Sequence, residues 1–531
     1  MKNYVIKIID RNWFFVSLIF FVIVLPLSQA LVSICAGIIL FAALVEDSWQ
    51  NKMERFIKNK FLFSLPGIYL IYIISSIVSN KMSSSLYDLQ KGMFFLVLPI
   101  AFALGKSITP QQKRFIFYTF SIAVFLSTII AILNWKLSNN PDVFSVHKAS
   151  LISHIRFSFQ LILAFWFIIL LMTKNFKILT RHKRLLFIFG ASYFIAFLLF
   201  QQSLTGLIAL SGSIFFYMLM WLFQASKRFK IPLLILALLL ILLPVVYVAQ
   251  AIHKFYDIEK IDENAIVKRT AQGNLYIHDF NNPMVENGRY VYLYVCPEEI
   301  CHEWNKISDM KYDSTGINGY SVSSTLIRYL TSKGLRKDAE GIKSLNADDI
   351  QNIENGIANV IYSGNRFSLY PRIYQTIWEY YVYSKTGNAN QKSFSQRIEY
   401  AKAAVSIISE NPWFGVGTGN WKNEFRKAYA QNSPELNEEY YASSHNQYLN
   451  YMVKFGIIGF ILILFLLLYP VLKTKRYKDH LFLLFLVFMF FANFADSNFE
   501  SHMGSSFFVF FYCVFMVSEM TYLNIRCQKQ P

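Results

Sequence analysis

The chain of 531 residues is 54% hydrophobic and only 16% charged, with 51 Phe, well short of the roughly 25% charged content of an average soluble domain. That balance excludes an ordinary soluble protein, and 14 Pro, 22 Gly and 5 Cys over the whole length exclude disordered, collagenous and disulfide-dense secreted classes. A net charge of +18 raises nucleic acid as a partner until the positions of the basic residues are considered.

Apolar runs of about 17 to 25 residues have the length of membrane spans. In chain order, twelve such runs lie near 13–26, 29–45, 61–79, 88–104, 115–134, 153–173, 185–200, 203–223, 231–252, 447–470, 480–495 and 505–523. The basic stretch Met1–Asn12 leads straight into the first two without a small-residue cleavage site, so no removable leader is expected. With the N-terminus inside, the cytoplasmic segments hold 24 Lys and Arg, whereas the short outer segments and their span ends hold five. This is the asymmetry of the positive-inside rule. The remaining 22 basic residues lie between Lys254 and Lys454 beside 23 acidic ones. The excess charge therefore reports orientation in a lipid bilayer, and nucleic acid drops out as a partner.

The same orientation puts roughly 190 residues, Lys254 to about Asn446, outside the membrane, far too many for an ordinary connection. The expected organisation is a membrane region over 1–252 with about nine spans, a folded extracytoplasmic loop domain over 253–446, and a second membrane region over 447–531 with about three. Within the loop, Gly273 to Cys296 predicts one or two short strands joined through Asn-Gly. Mainly helical segments follow: Ser324 to Ser332, Asn346 to Ile361 with Asn346 or Asp348 as N-cap, Tyr374 to Tyr383, and Ser395 to Ser409 ending at Asn411-Pro412. Cys296 and Cys301 in CPEEIC face an oxidising compartment, but the demanding geometry of so short a loop weighs against their pairing.

Chemistry is expected where polar groups meet the membrane, because buried charge is costly there. Asp496, Glu500 and His502 sit in the outer turn between the last two spans, and Arg156 at the outer end of another. In Ser443 to Gly459, SSHNQYLNYMVKFGIIG, His445 stands where the loop re-enters the membrane. A neutral imidazole there can take a proton from a sugar hydroxyl, while position alone favours an interfacial cap for the following helix. Upstream, QRIEYAKAAVSIISENPWFGVGTGNW holds Arg397 and three glycines, 415, 417 and 419, after a proline break. A nucleotide-binding reading lacks the preceding strand and the right spacing, so a tight turn that lets backbone approach closely is the favoured reading.

These segments resemble the O-antigen ligase and polymerase superfamily of lipid-linked glycan transferases. The resemblance rests on the Arg397 helix before NPWFGVGTGNW, then SSHNQYLNYMVKFGIIG, then DSNFESHMGSSFF at 496–508, in the family's order. SHIRFSFQLILAF at 153–165, QQSLTGLIAL at 201–210 and STLIRYLTSKGLRKDAEGI in the loop agree, the last resembling Bacteroidetes members. It covers in effect the whole chain, most weakly in spans one to five. It implies an α-helical polytopic membrane protein of GT-C-like fold in a bacterial inner membrane, with its site facing the periplasm. The implied reaction moves a glycan from undecaprenyl diphosphate to an acceptor hydroxyl, on lipid A core for a ligase, or on a second glycan or a protein for close relatives. His445 matches the family's general base and Arg397 the loop arginine assigned to the diphosphate; Arg156 is the candidate second arginine. Leu204 stands where many relatives carry arginine, which makes Arg372 or Arg366 the candidate substitute. Glu500 and His502 are candidates for orienting His445 or contacting acceptor sugar, against the plain reading of a solvated turn.

A guanidinium offers a diphosphate bidentate, charge-assisted hydrogen bonds that an ammonium does not. Because a diphosphate leaves as a stable anion, one base with cationic stabilisation suffices, without the paired carboxylates of glycoside hydrolysis. No metal-ligand spacing appears and no cofactor is implied. A flippase or transporter, the distant alternative, is expected to carry ionisable groups deep in its spans and no large external domain.

The topology is directly testable. Alkaline phosphatase fused after Asn388 should be active and a fusion at the C-terminus inactive; the reverse pattern would overturn the orientation.

Overall fold

The computed structural model describes residues 12–79, 81–137, 149–174, 179–317, 319–364, 367–518 and 520. Of the basic residues used for orientation, Lys2, Lys7, Arg11, Lys148, Lys177, Arg526 and Lys529 lie outside the described residues. The chain forms two compact units. One comprises the chain up to Leu133, Ser150–Leu240 and everything from Gln396 onward; the other comprises Ile241–Ser395 together with 134–149.

Among the described residues, each of the twelve apolar runs contains helix; positions 519 and 521–523 of the last run lie outside the described residues. The first unit begins with α1 (Trp13–Val24), α2 (Gln29–Val45), α3 (Trp49–Lys58), α4 (Ser64–Val78), α5 (Met82–Gly92), α6 (Phe94–Leu104) and α7 (Pro110–Leu137). It continues with α8 (His154–Lys174), α9 (Arg181–Phe200), α10 (Leu204–Gln224) and α11 (Lys227–Phe255), the last of which passes into the second unit. Among the described residues, eight helices are long and apolar enough to cross a membrane, a bent pair makes a ninth, and three apolar helices are shorter. The bent pair is α2 and α3, which turn through 117°; α3 is amphipathic, with Arg55 and Lys58 in its last turn. The protein is thus an α-helical polytopic membrane protein.

The second unit carries β1 (Val285–Glu286) and β2 (Arg289–Tyr290), antiparallel, with Val285 opposite Tyr290. Asn287 and Gly288 between them have φ of 49° and 79°, the left-handed pair that a two-residue hairpin of this hand needs and that Asn-Gly supplies at least cost. Helices α12 (Pro297–Ile307), α13 (Val322–Lys333), α14 (Ala339–Lys343), α15 (Ala347–Glu354) and α16 (Tyr370–Thr386) follow. Asn346 caps α15 in a reciprocal capping box with Asp349. The helix ends at Glu354, short of the predicted Ile361, because Asn355-Gly356 follows with Gly356 at φ 80°. Trp304 of α12, a helix the sequence reading did not identify, is fully buried against Leu326 and Leu330 of α13. Arg328 pairs with the buried Glu286 at 2.6 Å, and Tyr374 donates to the same carboxylate. Cys296 and Cys301 are separate thiols.

The chain returns to the first unit through α17 (Ser393–Glu410), which starts in the second, and continues with α18 (Trp421–Asn432), α19 (Gln447–Lys473), α20 (His480–Ala495) and α21 (His502–Val517). The segment 396–446, assigned by the sequence reading to the loop domain, packs with the membrane helices. Helix α21 is the centre of that unit, with every residue from Met503 to Met516 buried. Its phenylalanines explain much of the composition: Phe510 stacks on Phe21 of α1 at 4.3 Å, and Phe511 meets Phe120 of α7 edge-on at 4.8 Å. In lipid such ring packing contributes to holding helices together where no hydrophobic driving force between helices exists.

Helix α19 is broken at Gly456, with φ 64° and ψ −173°, a backbone region essentially restricted to glycine. The break frees the carbonyls of Val453 and Lys454, and the glycine loop repairs the loss. Val416 N donates to Val453 O at 2.8 Å and Gly417 N to Lys454 O at 3.0 Å, while Ile457 N donates to Pro412 O at 2.8 Å. The loop thus completes the helix ladder from outside, which a membrane requires of any non-helical backbone. The turn reading of the three glycines is the one the structure bears out.

A methyl group at Gly456 would fall inside the Trp413 carbonyl. Gly456→Ala should therefore destabilise the protein by more than about 3 kcal/mol, read as a lowered thermal midpoint of purified protein. Gly37→Ala, whose methyl meets nothing within 4 Å, should change stability by no more than about 1 kcal/mol.

Candidate functional site

The last turns of α5, the end of α20, and the starts of α8, α18, α19 and α21 surround a polar pocket of about 150 Å³ in the first unit. Its ionisable lining is Asp88 and Lys91 of α5, Arg156 of α8, His445, Lys454 of α19, Asp496 and Glu500. A larger cavity of about 700 Å³ between α1 and α2 is apolar apart from Ser17 and Glu46 at its edge and offers little to catalysis.

His445 stands just before α19, whose N-cap is Asn446. Its own backbone is left-handed, at φ 48°, uncommon for a non-glycine residue and therefore held by its surroundings. Ser444 does the holding: its hydroxyl and backbone N–H both donate to Asn450 Oδ1, at 2.7 and 3.2 Å, and Asn450 donates to Ser497 at 2.6 Å. The imidazole stacks on Tyr400 of α17 at 5.6 Å and is 40% exposed. Its Nδ1 lies 3.4 Å from Asp496 Oδ1. A carboxylate there favours the tautomer with the proton on Nδ1, which leaves Nε2 as the basic nitrogen. Burial alone would raise the Asp496 carboxyl. The His445 hydrogen bond and the Arg156 charge outweigh it and hold the group below the ordinary carboxylate range. Burial pushes the Tyr400 phenol up to about 12, so it stays protonated and donates to Tyr440 O at 2.6 Å.

The expected arginines have separate fates. Arg156 is brought into the pocket. Its Nη2 lies 2.9 Å from Asp496 Oδ2, in ion-pair contact though not aligned as a hydrogen bond, and Nε and Nη1 donate to Ser501 and Ser153. Arg397 stands near the pocket's edge, where its Nη1 donates to the carbonyl of Ala495 at the C-terminal end of α20, at 2.7 Å. Cation and helix end attract one another there. Arg372 belongs to the second unit, where it donates to Gln375. Arg366 lies outside the described residues, and Leu204 simply opens α10 behind the Ser203 cap. His502 begins α21 with its ring edge-on to Phe94; its Nδ1 is buried without a hydrogen-bond partner.

Glu500 is not solvated. Its Oε2 accepts from Lys454 Nζ at 2.7 Å and its Oε1 from Tyr72 of α4 at 2.9 Å. Lys454 also donates to Asp88 at 3.0 Å, and Trp421 of α18 donates to the same Asp88 oxygen at 2.7 Å. Lys454 and Asp88 are almost completely buried. The sequence reading missed this cluster, although Asp88 and Lys91 in LYDLQKG and Lys454 in NYMVKFG are ionisable residues inside apolar runs, a signal in its own right. Asp496, Asp88 and Glu500 each have cationic or hydrogen-bonding partners, and His445 contributes a 40% exposed imidazole to the same pocket. Among the described residues, no group of three or more His, Cys, Asp or Glu is placed to hold a metal ion.

Residues 345–464 match the family model Wzy_C, O-antigen ligase. The match runs from just before α15 through the glycine loop and His445 into α19, past its break at Gly456, and it supports membership of the O-antigen ligase and polymerase superfamily. No curated protein matches the chain.

Removing Lys454 would leave two buried carboxylates facing each other. Lys454→Met should cost about 3 to 5 kcal/mol, measured by thermal or denaturant unfolding. Adding Asp88→Asn and Glu500→Gln to Lys454→Met should recover most of the loss, and failure to recover would mean that Lys454 acts by packing.

Proposed function

We propose, on the premise that residues 345–464 are an O-antigen ligase segment, that the protein transfers a glycan from undecaprenyl diphosphate to a hydroxyl of lipid A core. The observation that carries this reading is the His445–Asp496–Arg156 chain in a pocket whose other carboxylates are already bound. In the proposed reaction His445 Nε2 takes the proton of the acceptor hydroxyl as its oxygen attacks the anomeric carbon. The bond from that carbon to the phosphate oxygen breaks, and the diphosphate leaves with the electron pair. Among the described residues, each pocket carboxylate is already paired with a cation, so a single displacement is the step this reading favours.

Asp496 keeps the imidazole in the reactive tautomer and stabilises the imidazolium that forms. Arg397 and Arg156 supply guanidinium donors to the diphosphate. Glu500, bonded to Lys454 and Tyr72, lines the same pocket as the base, and His502 is the candidate contact to acceptor sugar. The site faces the periplasm from the inner membrane in this reading. A polymerase or a protein O-oligosaccharyltransferase would use the same step on another hydroxyl. Deletion followed by gel analysis of surface polysaccharide separates the first two: unattached long chains mean ligase, single repeat units on the core mean polymerase.

His445→Ala should lower transfer by about 10² to 10⁴ and leave donor binding intact. Near-normal transfer would remove the base assignment, and loss of donor binding would move His445 to the diphosphate site. Arg397→Lys should retain expression and insertion yet lose most transfer, because the planar fork is gone; normal transfer would make Arg397 structural.

A further inference from the structure

The cations around the pocket are not equivalent. Lys454 gives its ammonium to Asp88 and Glu500, and Arg156 has one nitrogen each on Ser501, Ser153 and Asp496. Lys91 differs. It lines the same pocket, one turn after Asp88 on α5, but both neighbouring carboxylates are turned to Lys454. Among the described residues its ammonium has no carboxylate partner; its contact is the face of Tyr87, 3.8 Å from Nζ to the ring centroid. That contact orients a cation without using its N–H donors.

A second lysine addresses the same ring. Lys422, in the first turn of α18, places its Nζ 5.8 Å from the Tyr87 centroid, and among the described residues it too has no carboxylate partner. The Trp421 indole next to it is tied to Asp88 at 2.7 Å, so the first turn of α18 is held against α5 and both ammonium groups lie within 5.8 Å of the Tyr87 centroid. Two like charges addressing one ring, one of them in the pocket lining, repel one another unless an anion offsets them. At an ammonium pair, a compact group with several charged oxygens gains most.

Resting on the transferase reading above, we propose that Lys91 and Lys422 form a phosphate anchor for one of the two lipid substrates, separate from the arginines near His445. The chemistry it recognises is a phosphate or diphosphate on a membrane lipid. The diphosphate of the polyprenyl donor and the phosphate of a glycolipid acceptor both supply it.

The test uses full-length protein in nanodiscs, wild type beside Lys91→Ala/Lys422→Ala and Lys91→Arg/Lys422→Arg. Binding is measured for undecaprenyl diphosphate against undecaprenol, and for lipid A against its dephosphorylated form. Wild type should prefer the phosphorylated member of at least one pair, and the double Ala variant should lose about tenfold of that preference, equivalent to about 1.4 kcal/mol. Neutral-lipid binding should stay unchanged, and the Arg pair should restore the preference. Loss confined to the first pair assigns the anchor to the donor; loss confined to the second assigns it to the acceptor. Equal preference in wild type and the Ala variant overturns the proposal, as does a wild type with no preference. Glycan transfer by the same preparations tells the two failures apart: transfer with an unchanged KM for both substrates in the Ala variant sinks the anchor alone, whereas no transfer by wild type sinks the function.

Discussion

The first unit depends on one buried ammonium. Lys454 lies inside an apolar helix, where an isolated charge is very costly, and its two carboxylate partners come from different helices, α5 and the turn before α21. Tyr72 of α4 and Trp421 of α18 complete the hydrogen bonding of those carboxylates. Satisfying one lysine thus requires five separated segments of chain to meet at one point. The favourable arrangements are few, because in a low dielectric both the pairing and the penalty for losing it are large.

The helix break beside it serves the same point. An unbroken α19 would keep the Val453 and Lys454 carbonyls within its own ladder; the turn at Gly456 releases them to the glycine loop. That loop joins α17, which carries Arg397 and Tyr400, to α18, which carries Trp421 and Lys422. Backbone repair, charge burial and placement of the stacking partner of His445 are therefore one structural event. Gly415, whose added methyl would lie 2.6 Å from Gly456 N, is small for the same reason.

The chemical character of the pocket follows from the pairing. Three carboxylates near a site for an anionic substrate would repel it. Lys454 neutralises two of them as far as its single charge allows, and Arg156 with His445 answers the third. Positive charge without a carboxylate partner remains on the Lys91 and Lys422 side, and proton-accepting capacity on the His445 side. Those two properties together suit a reaction in which a phosphate-bearing lipid is held while a hydroxyl is deprotonated.

The membrane class, the twelve helical runs, the Asn-Gly hairpin and the Asn346 cap were legible in the sequence because each depends on local composition or spacing. The same holds for the family segment and for His445 at the entry to α19, which a short motif carries. The lengths of the loop helices were only partly legible, since α12 and α15 begin and end by local caps and by packing that periodicity does not register. The Lys454 cluster was decided only by tertiary structure: Asp88 and Lys454 are 366 positions apart, and no local pattern states which helices will be neighbours. The same is true of the Asp496 contact that orients His445 and of the Tyr87 ring addressed by both Lys91 and Lys422. Local sequence determines where a helix forms and which of its residues are costly to bury; only the packed bundle determines which partners remove that cost, because those partners are brought together by the folding of the whole chain.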